Sequence, residues 1–133
     1  MTDKLKVLII DDHPLMRRGI KQLVELEEGF KVVGGAGNGS EGISLALQTS
    51  PDLIILDLNM KGLSGLDTLK ALRSEGVDAR IVILTVSDAR SDIFTLIDAG
   101  ADGYLLKDTE PDTLLEQLKA IAQGEVILSD SIK

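Results

Sequence analysis

At 133 residues, with 44% apolar and 27% charged side chains, the chain has the size and composition of one globular domain with one sizeable core. A formal net charge of −8 disfavours contact with nucleic-acid phosphates or an anionic membrane, and two Phe, one Tyr and no Trp leave no platform for stacking bases. No Cys and a single His exclude disulfides and Cys/His zinc centres, leave open a hard cation held by carboxylates, and, with no apolar run of membrane-spanning length and no signal-peptide h-region, the chain reads as cytoplasmic.

Lys6 to Ile10 (KVLII) reads as a first strand, followed by Asp11-Asp12-His13-Pro14. Pro14 suits the first position of a helix, where its missing N–H is no loss, with Asp12 or His13 as the cap. Met16, Ile20, Leu23 and Val24 share one face of that helix, which runs to Glu27 and ends at Gly29. Phe30 to Val33 is a half-polar second strand near the sheet edge, and Gly34, Gly35, Gly37 and Gly39 form a loose connection. Ile43, Ala46 and Leu47 mark the inner face of a second helix, closed before Pro51. Leu53 to Leu56 (LIIL) is a continuous apolar run, as expected of a strand buried on both faces, and Asp57 follows at once. Leu66, Leu69 and Leu72 line a third helix, with Gly76 at the position of a C′ glycine. Arg80 to Leu84 (RIVIL) is a fourth strand ending in Thr85, and Ile93, Leu96 and Ile97 line a fourth helix stopped by Gly100. Gly103 to Leu106 is a short fifth strand ending in Lys107. Thr109 (cap), Pro111 and Asp112 open a fifth helix, whose Leu114, Leu115, Leu118, Ile121 and Ala122 face inward and which Gly124 ends. Residues 126–133 are expected to have no partner of their own. The expected organisation is therefore one domain over 1–124, with 125–133 beginning a linker to an output domain outside this chain.

Strict alternation of strand and helix means a parallel α/β sheet with helices on both faces, and the right-handed crossover leaves few topologies. In such a sheet every strand ends on one edge, which is where ligands bind. Asp11, Asp12, Asp57, Thr85 and Lys107 arrive there from four strands. Each alone has an ordinary explanation as a cap, a strand end or a surface lysine; their joint occurrence does not. Clustered carboxylates repel, and an all-oxygen donor set favours Mg²⁺, which commonly bridges a carboxylate to a phosphate. A carboxylate so placed can attack phosphorus, while the cation of Lys107 and the donor of Thr85 meet the developing charge. The cluster reads as a Mg²⁺-dependent phosphoryl acceptor with Asp57 as the nucleophile.

DDHP after the first strand, LDLNM after the third, LTVSDA after the fourth and GADGYLLKD through the fifth together resemble the receiver domain of two-component response regulators, over nearly the whole chain. The wording is most similar to the NarL/FixJ subfamily, in particular its nitrate/nitrite-responsive members, through DDHPLMRRG and LNMKGLSGLDTL. The resemblance implies a flavodoxin-like (CheY-like) doubly wound sheet of five strands, order 2-1-3-4-5, with five helices. It implies that Asp57 is phosphorylated by a sensor histidine kinase, that Asp12, Asp57 and the backbone carbonyl of Asn59 bind Mg²⁺ with Asp11 acting through water, and that Lys107 pairs with the phosphoryl group. Thr85 would swing toward that group and Tyr104 would follow inward as the switch aromatic. Such a domain is a phosphoacceptor that assists its own phosphorylation and slow dephosphorylation. It would control a C-terminal helix-turn-helix domain that regulates transcription, with homodimerisation on phosphorylation as one route.

Two positions depart from the common family pattern. Lys61 stands after Met60 where most receivers have Pro, and Asp108 follows Lys107 where many have a cis-Pro. A non-proline cis bond costs roughly 2.5–4 kcal/mol, which leaves the isomer open. Three other readings compete. Gly37-Asn38-Gly39-Ser40-Glu41-Gly42 matches a dinucleotide-binding G-x-G-x-x-G, but puts Glu41 against a pyrophosphate and leaves the five convergent residues idle. A haloacid-dehalogenase-like phosphatase needs an acid two residues after its nucleophile, where this chain has Asn59. A pseudo-receiver, an interaction module that never takes phosphate, is the main alternative. His13 reads as a helix-entry residue with no catalytic role.

Overall fold

The computed structural model describes residues 4–58, 60, 62–85, 90–124 and 127–128. Five βα units follow one another: β1 (Leu5–Ile10), α1 (Pro14–Glu25), β2 (Phe30–Ala36), α2 (Gly39–Thr49), β3 (Leu53–Asp57), α3 (Gly65–Ser74), β4 (Arg80–Thr85), α4 (Arg90–Asp98), β5 (Gly103–Leu106) and α5 (Pro111–Ala122). The strands pair in parallel in the order β2-β1-β3-β4-β5, as the sequence implies. A two-residue β6 (Ile127–Leu128) then extends the sheet beside β5, Gly103 facing Ile127 and Tyr104 facing Leu128. The last residues were expected to have no partner; these two find one in the backbone groups left open along the edge of β5.

Period-two alternation divides the core. Leu8, Ile10, Ile54, Leu56, Ile81, Ile83 and Tyr104 point to the layer of α2, α3 and α4, while Val7, Ile9, Leu53, Ile55, Val82, Leu84 and Leu105 point to α1 and α5. All are essentially inaccessible to solvent. At about 1.5–3 kcal/mol for each fully buried aliphatic side chain, these two layers provide the main force closing the helices on the sheet.

Helix ends follow local chemistry. Asn38 caps α2 and Ser64 caps α3, each through its side chain. After α3 and α4, Gly76 (φ +80°) and Gly100 (φ +111°) take left-handed conformations. Their N–H groups bond to Arg73 and Ile97 carbonyls, and the next N–H groups to Leu72 and Leu96 carbonyls, giving two Schellman motifs. Helix α1 is shorter than its apolar spacing suggests: it stops at Glu25, capped by Leu26, and His13 at its start makes no side-chain cap. Glu110, not Thr109, is the cap position of α5; the Thr109 hydroxyl instead donates to the Leu106 carbonyl at 2.7 Å. Leu47 was placed on the inner face of α2 but is half exposed, and Leu45 packs against the core in its place.

The largest departure is in the glycine-rich segment. Gly34 and Gly35 belong to β2, paired with Leu8 and Ile9 past a register shift at Val33, and β2 continues to Ala36. The G-x-G-x-x-G glycines are used for packing. A Cβ on Gly42 would meet Ile10 Cδ1 at 2.5 Å, and one on Gly39 would collide with the Thr68 hydroxyl and Leu63. That explains the motif by the close approach of α2 to β1 and α3.

Candidate functional site at the carboxyl edge of the sheet

Asp11 and Asp12 follow β1, Asp57 ends β3, Thr85 ends β4 and Lys107 follows β5. Because β1, β3, β4 and β5 are consecutive in the sheet and parallel, these residues share one edge. Asp11, Asp57 and Thr85 are among the few buried polar residues, at 1%, 2% and 0% exposure. Buried carboxylates are rare unless paired, so the arrangement itself marks the place.

Lys107 Nζ lies 3.1 Å from Asp57 Oδ1 and 3.6 Å from Asp11 Oδ2. Its backbone N–H donates to the Thr85 carbonyl at 2.7 Å, which fixes the start of the β5–α5 loop against the end of β4. The peptide bond between Lys107 and Asp108 is trans, as are all those described. Opposite Lys107, the imidazole of His13 brings Nδ1 to 2.9 Å from Asp12 Oδ1, 3.3 Å from Asp11 Oδ1 and 3.9 Å from Asp57 Oδ2. The sequence reading gave His13 only a place at the helix entry. The structure sets it among all three carboxylates, because Pro14 starts α1 directly and turns residue 13 back over the strand ends. The signal was present in the DDHP spacing.

Asp11 is anchored through its side chain, its N–H and its carbonyl. Its carboxylate accepts the His13 N–H at 2.9 Å, its own N–H donates to the Ala36 carbonyl at 3.0 Å, and its carbonyl accepts from Arg17 Nη1 at 2.6 Å. Asp57 is held from below by close backbone packing: a Cβ on Gly65 would stand 2.7 Å from the Asp57 carbonyl oxygen and 2.7 Å from Leu58 Cα. Gly65 is therefore needed for the first turn of α3 to approach the end of β3. Asn59 and Lys61, both singled out in the sequence, lie outside the described residues. Tyr104, expected to turn inward when Thr85 moves, is already fully buried in the α2–α4 layer with Ile93 and Leu96.

The donor set suits a hard divalent cation. One oxygen each from Asp11, Asp12 and Asp57 and Nδ1 of His13 all lie within 4.8 Å of one another. Three carboxylates facing a single lysine leave negative charge that a small dication would neutralise, and Mg²⁺ is the hard ion such oxygen donors favour.

Comparison with known proteins agrees with this geometry. The family model described as the response regulator receiver domain matches residues 7–119. A Haemophilus influenzae protein named nitrate/nitrite response regulator protein homolog is 84% identical over 133 residues, which are 100% of this chain and 64% of that protein. The Escherichia coli K12 nitrate/nitrite response regulator protein NarP is 61% identical over 127 residues, 96% of this chain and 59% of its own. The chain thus spans less than two thirds of the curated relatives it matches. Among solved structures, a LuxR-family two-component response regulator from Aurantimonas sp. SI85-9A1 superposes with a TM-score of 0.92 at 31% identity, covering 98% of this chain and 93% of that one. The receiver domain of the putative response regulator NarL from Mycobacterium tuberculosis gives 0.88 at 30% identity, covering 92% and 99%.

Proposed function

Since the chain belongs to the response regulator receiver family, we propose that Asp57 is its phosphoryl acceptor, with a phosphohistidine on a sensor histidine kinase as donor. The observation that carries this reading is the convergence of three carboxylates on one ammonium group at the carboxyl edge of the sheet. Asp12 and Asp57, with the backbone carbonyl of Asn59, would hold Mg²⁺, and Asp11 would act through a bound water. When bound, Mg²⁺ supplies charge neutralisation for the acids and the incoming phosphoryl oxygens.

In this reading Asp57 is the group that attacks phosphorus in line. Lys107 holds Oδ1 at 3.1 Å, and the packing of Gly65 against the Asp57 carbonyl fixes the backbone. The O–P bond forms as the P–N bond of the donor imidazole breaks, and the imidazole nitrogen keeps the electron pair. Lys107 then exchanges its carboxylate contact for the phosphoryl oxygens, and the Thr85 hydroxyl approaches the same group. Phosphorylation adds about −1.5 to −2 charges at this edge. Moving a switch from 1:99 to 99:1 takes about 5.5 kcal/mol, which two or three charge-assisted hydrogen bonds can supply. Tyr104 is buried from the outset, so the signal passes through the packing of its ring in the α4–β5 region and not through its entry into the core.

The domain is a signalling part and not a turnover enzyme: it assists its own phosphorylation and slow hydrolysis. The names of the relatives support an output in a nitrate or nitrite response. The reading takes that output to be transcription, run through a C-terminal helix-turn-helix domain, with a homodimer formed on phosphorylation as one route. No described helix is long and apolar enough to cross a membrane.

The test is intact-protein mass after incubation with Mg²⁺ and a small acyl phosphate. The expected result is one added phosphoryl group, absent from Asp57→Asn and absent with a chelator. No adduct, where a control receiver is labelled, would overturn the reading in favour of a receiver-like interaction module.

A further inference from the structure

We propose that Arg17 is a positioning residue for the acidic site, acting through the peptide between Asp11 and Asp12, and that Gly35 and Gly37 leave room for its side chain. This rests on the receiver reading above. Arg17 lies one turn into α1, where its N–H donates to the His13 carbonyl at 2.9 Å. Its side chain turns back across the sheet edge and Nη1 donates to the Asp11 carbonyl at 2.6 Å, short for a charge-assisted N–H···O bond. That carbonyl belongs to the planar peptide unit joining the two acids, so its orientation sets the direction in which both side chains leave the backbone. The other side of Asp11 is fixed by its N–H on the Ala36 carbonyl at 3.0 Å. The residue is thus gripped front and back by β2 and α1, and its carboxylate is presented at the start of the acidic cluster.

The glycines explain how a long cationic side chain fits there. A Cβ on Gly35 would stand 3.2 Å from Arg17 Cδ and 3.5 Å from Cγ, and one on Gly37 would stand 3.4 Å from Nη1. The stem therefore lies flat on bare backbone. Of the run that resembles a loose linker in the sequence, two members border this stem, Gly35 inside β2 and Gly37 just beyond it. Groups that orient metal-binding residues typically change metal affinity by 10–100-fold when removed.

The experiment measures Mg²⁺ affinity by calorimetry, and the rate of phosphorylation by an acyl phosphate as a function of Mg²⁺, in the wild type, Arg17→Met, Arg17→Lys and Gly35→Ala. Arg17→Met keeps the apolar stem and loses the donors. The expected result is Mg²⁺ binding weakened about 10-fold or more, with the rate at saturating Mg²⁺ within about twofold of wild type, and intermediate affinity for Arg17→Lys. Gly35→Ala leaves every charged group in place, lifts the stem and is expected to weaken Mg²⁺ by a few-fold. It decides the matter if Arg17→Met does not fold. A folded Arg17→Met with wild-type Mg²⁺ affinity, whatever its urea midpoint, overturns the proposal and leaves Arg17 as a packing residue. A wild type that binds no Mg²⁺ and takes no phosphoryl group overturns the receiver reading itself, and this inference with it.

Discussion

The two edges of the same sheet treat charge in opposite ways. At the amino edge, where the strands begin, Arg73, Asp102, Asp52 and Lys6 each meet partners of the other kind. Arg73 donates to the carbonyls of Val77, Ala79 and Gly100 and to Asp102, at 2.7 to 3.1 Å. Asp102 also accepts from the Ile81 N–H at 2.9 Å and lies 3.4 Å from Arg80. Asp52 accepts from the Lys6 N–H at 2.8 Å, and the Lys6 ammonium donates to the Thr49 carbonyl at 2.8 Å. A fissure of about 480 Å³ opens at this edge, lined in part by Asp52, Asp78 and Arg80, and among the described residues no cluster of three acids lies there. At the carboxyl edge three acids crowd one lysine, and Asp11 Oδ2 is buried with no hydrogen bond, its nearest cation 3.6 Å away. Charge that is matched locks strands and loops together. Charge that is left over has to be explained by what arrives.

Removing the central cation of the amino edge should show the larger effect. Arg73→Ala removes the nearer of the two cations beside Asp102, leaving it the Ile81 N–H and Arg80, and frees three carbonyls between α3 and the β5 entry. We expect a loss of about 3 kcal/mol, the lower range for breaking a buried pair, since both side chains keep some exposure. Urea unfolding at pH 7 measures it, and Mg²⁺ affinity should stay as in the wild type. A fall in Mg²⁺ affinity would show that the two edges are coupled through the strands.

The carboxyl edge should respond in the reverse direction. Mg²⁺ at ten times its dissociation constant should stabilise the wild type by about 1.4 kcal/mol, through binding the folded state alone. Asp12→Asn, which removes one of the crowded charges, should raise the stability of the metal-free protein by about 1 kcal/mol and abolish most of the Mg²⁺ increment. Urea midpoints with Mg²⁺ and with chelator give both quantities. An Asp12→Asn protein less stable than wild type without metal would mean that His13, 2.9 Å from Asp12, already matches that charge.

The same contrast explains what the sequence made legible. Groups acting through local spacing were readable: the glycines closing α3 and α4, the proline opening α5, and five polar residues each placed at a strand end by an apolar run that stops there. The gathering of Asp11, Asp12, Asp57, Thr85 and Lys107 at one edge follows from that, whereas the order of the strands came from the family resemblance. What could not be read depends on partners distant in the chain. Gly34 and Gly35 look like a linker until Leu8 and Ile9 are seen beside them and Arg17 above them. Arg73 looks like one more helix-surface cation, yet its partners at Gly100 and Asp102 lie 27 and 29 residues away. Leu47 satisfies the helical period, but the orientation of α2 is set by Gly39 and Gly42 against Thr68 and Ile10, and this turns Leu45 inward instead.

The smallest predicted effect tests the amino edge on its own terms. Lys119 on α5 reaches Glu27, just past α1, at 3.1 Å, and this contact holds the Glu27 carboxyl below its ordinary value of 4.5. A carboxyl lowered on folding adds stability that is complete above the unfolded value and disappears as the pH falls through the lower, folded one. The wild type should therefore exceed Lys119→Met in urea midpoint at pH 7 by a small margin, as expected of a pair largely open to solvent. That margin should hold down to about pH 5 and close as Glu27 takes up its proton below 4.5, and it should shrink in high salt at pH 7. A margin that stayed constant from pH 7 to pH 3 would assign the contribution of Lys119 to its methylene stem packed between α1 and α5, and the matched-charge account of this edge would then rest on Arg73, Asp102, Lys6 and Asp52 alone.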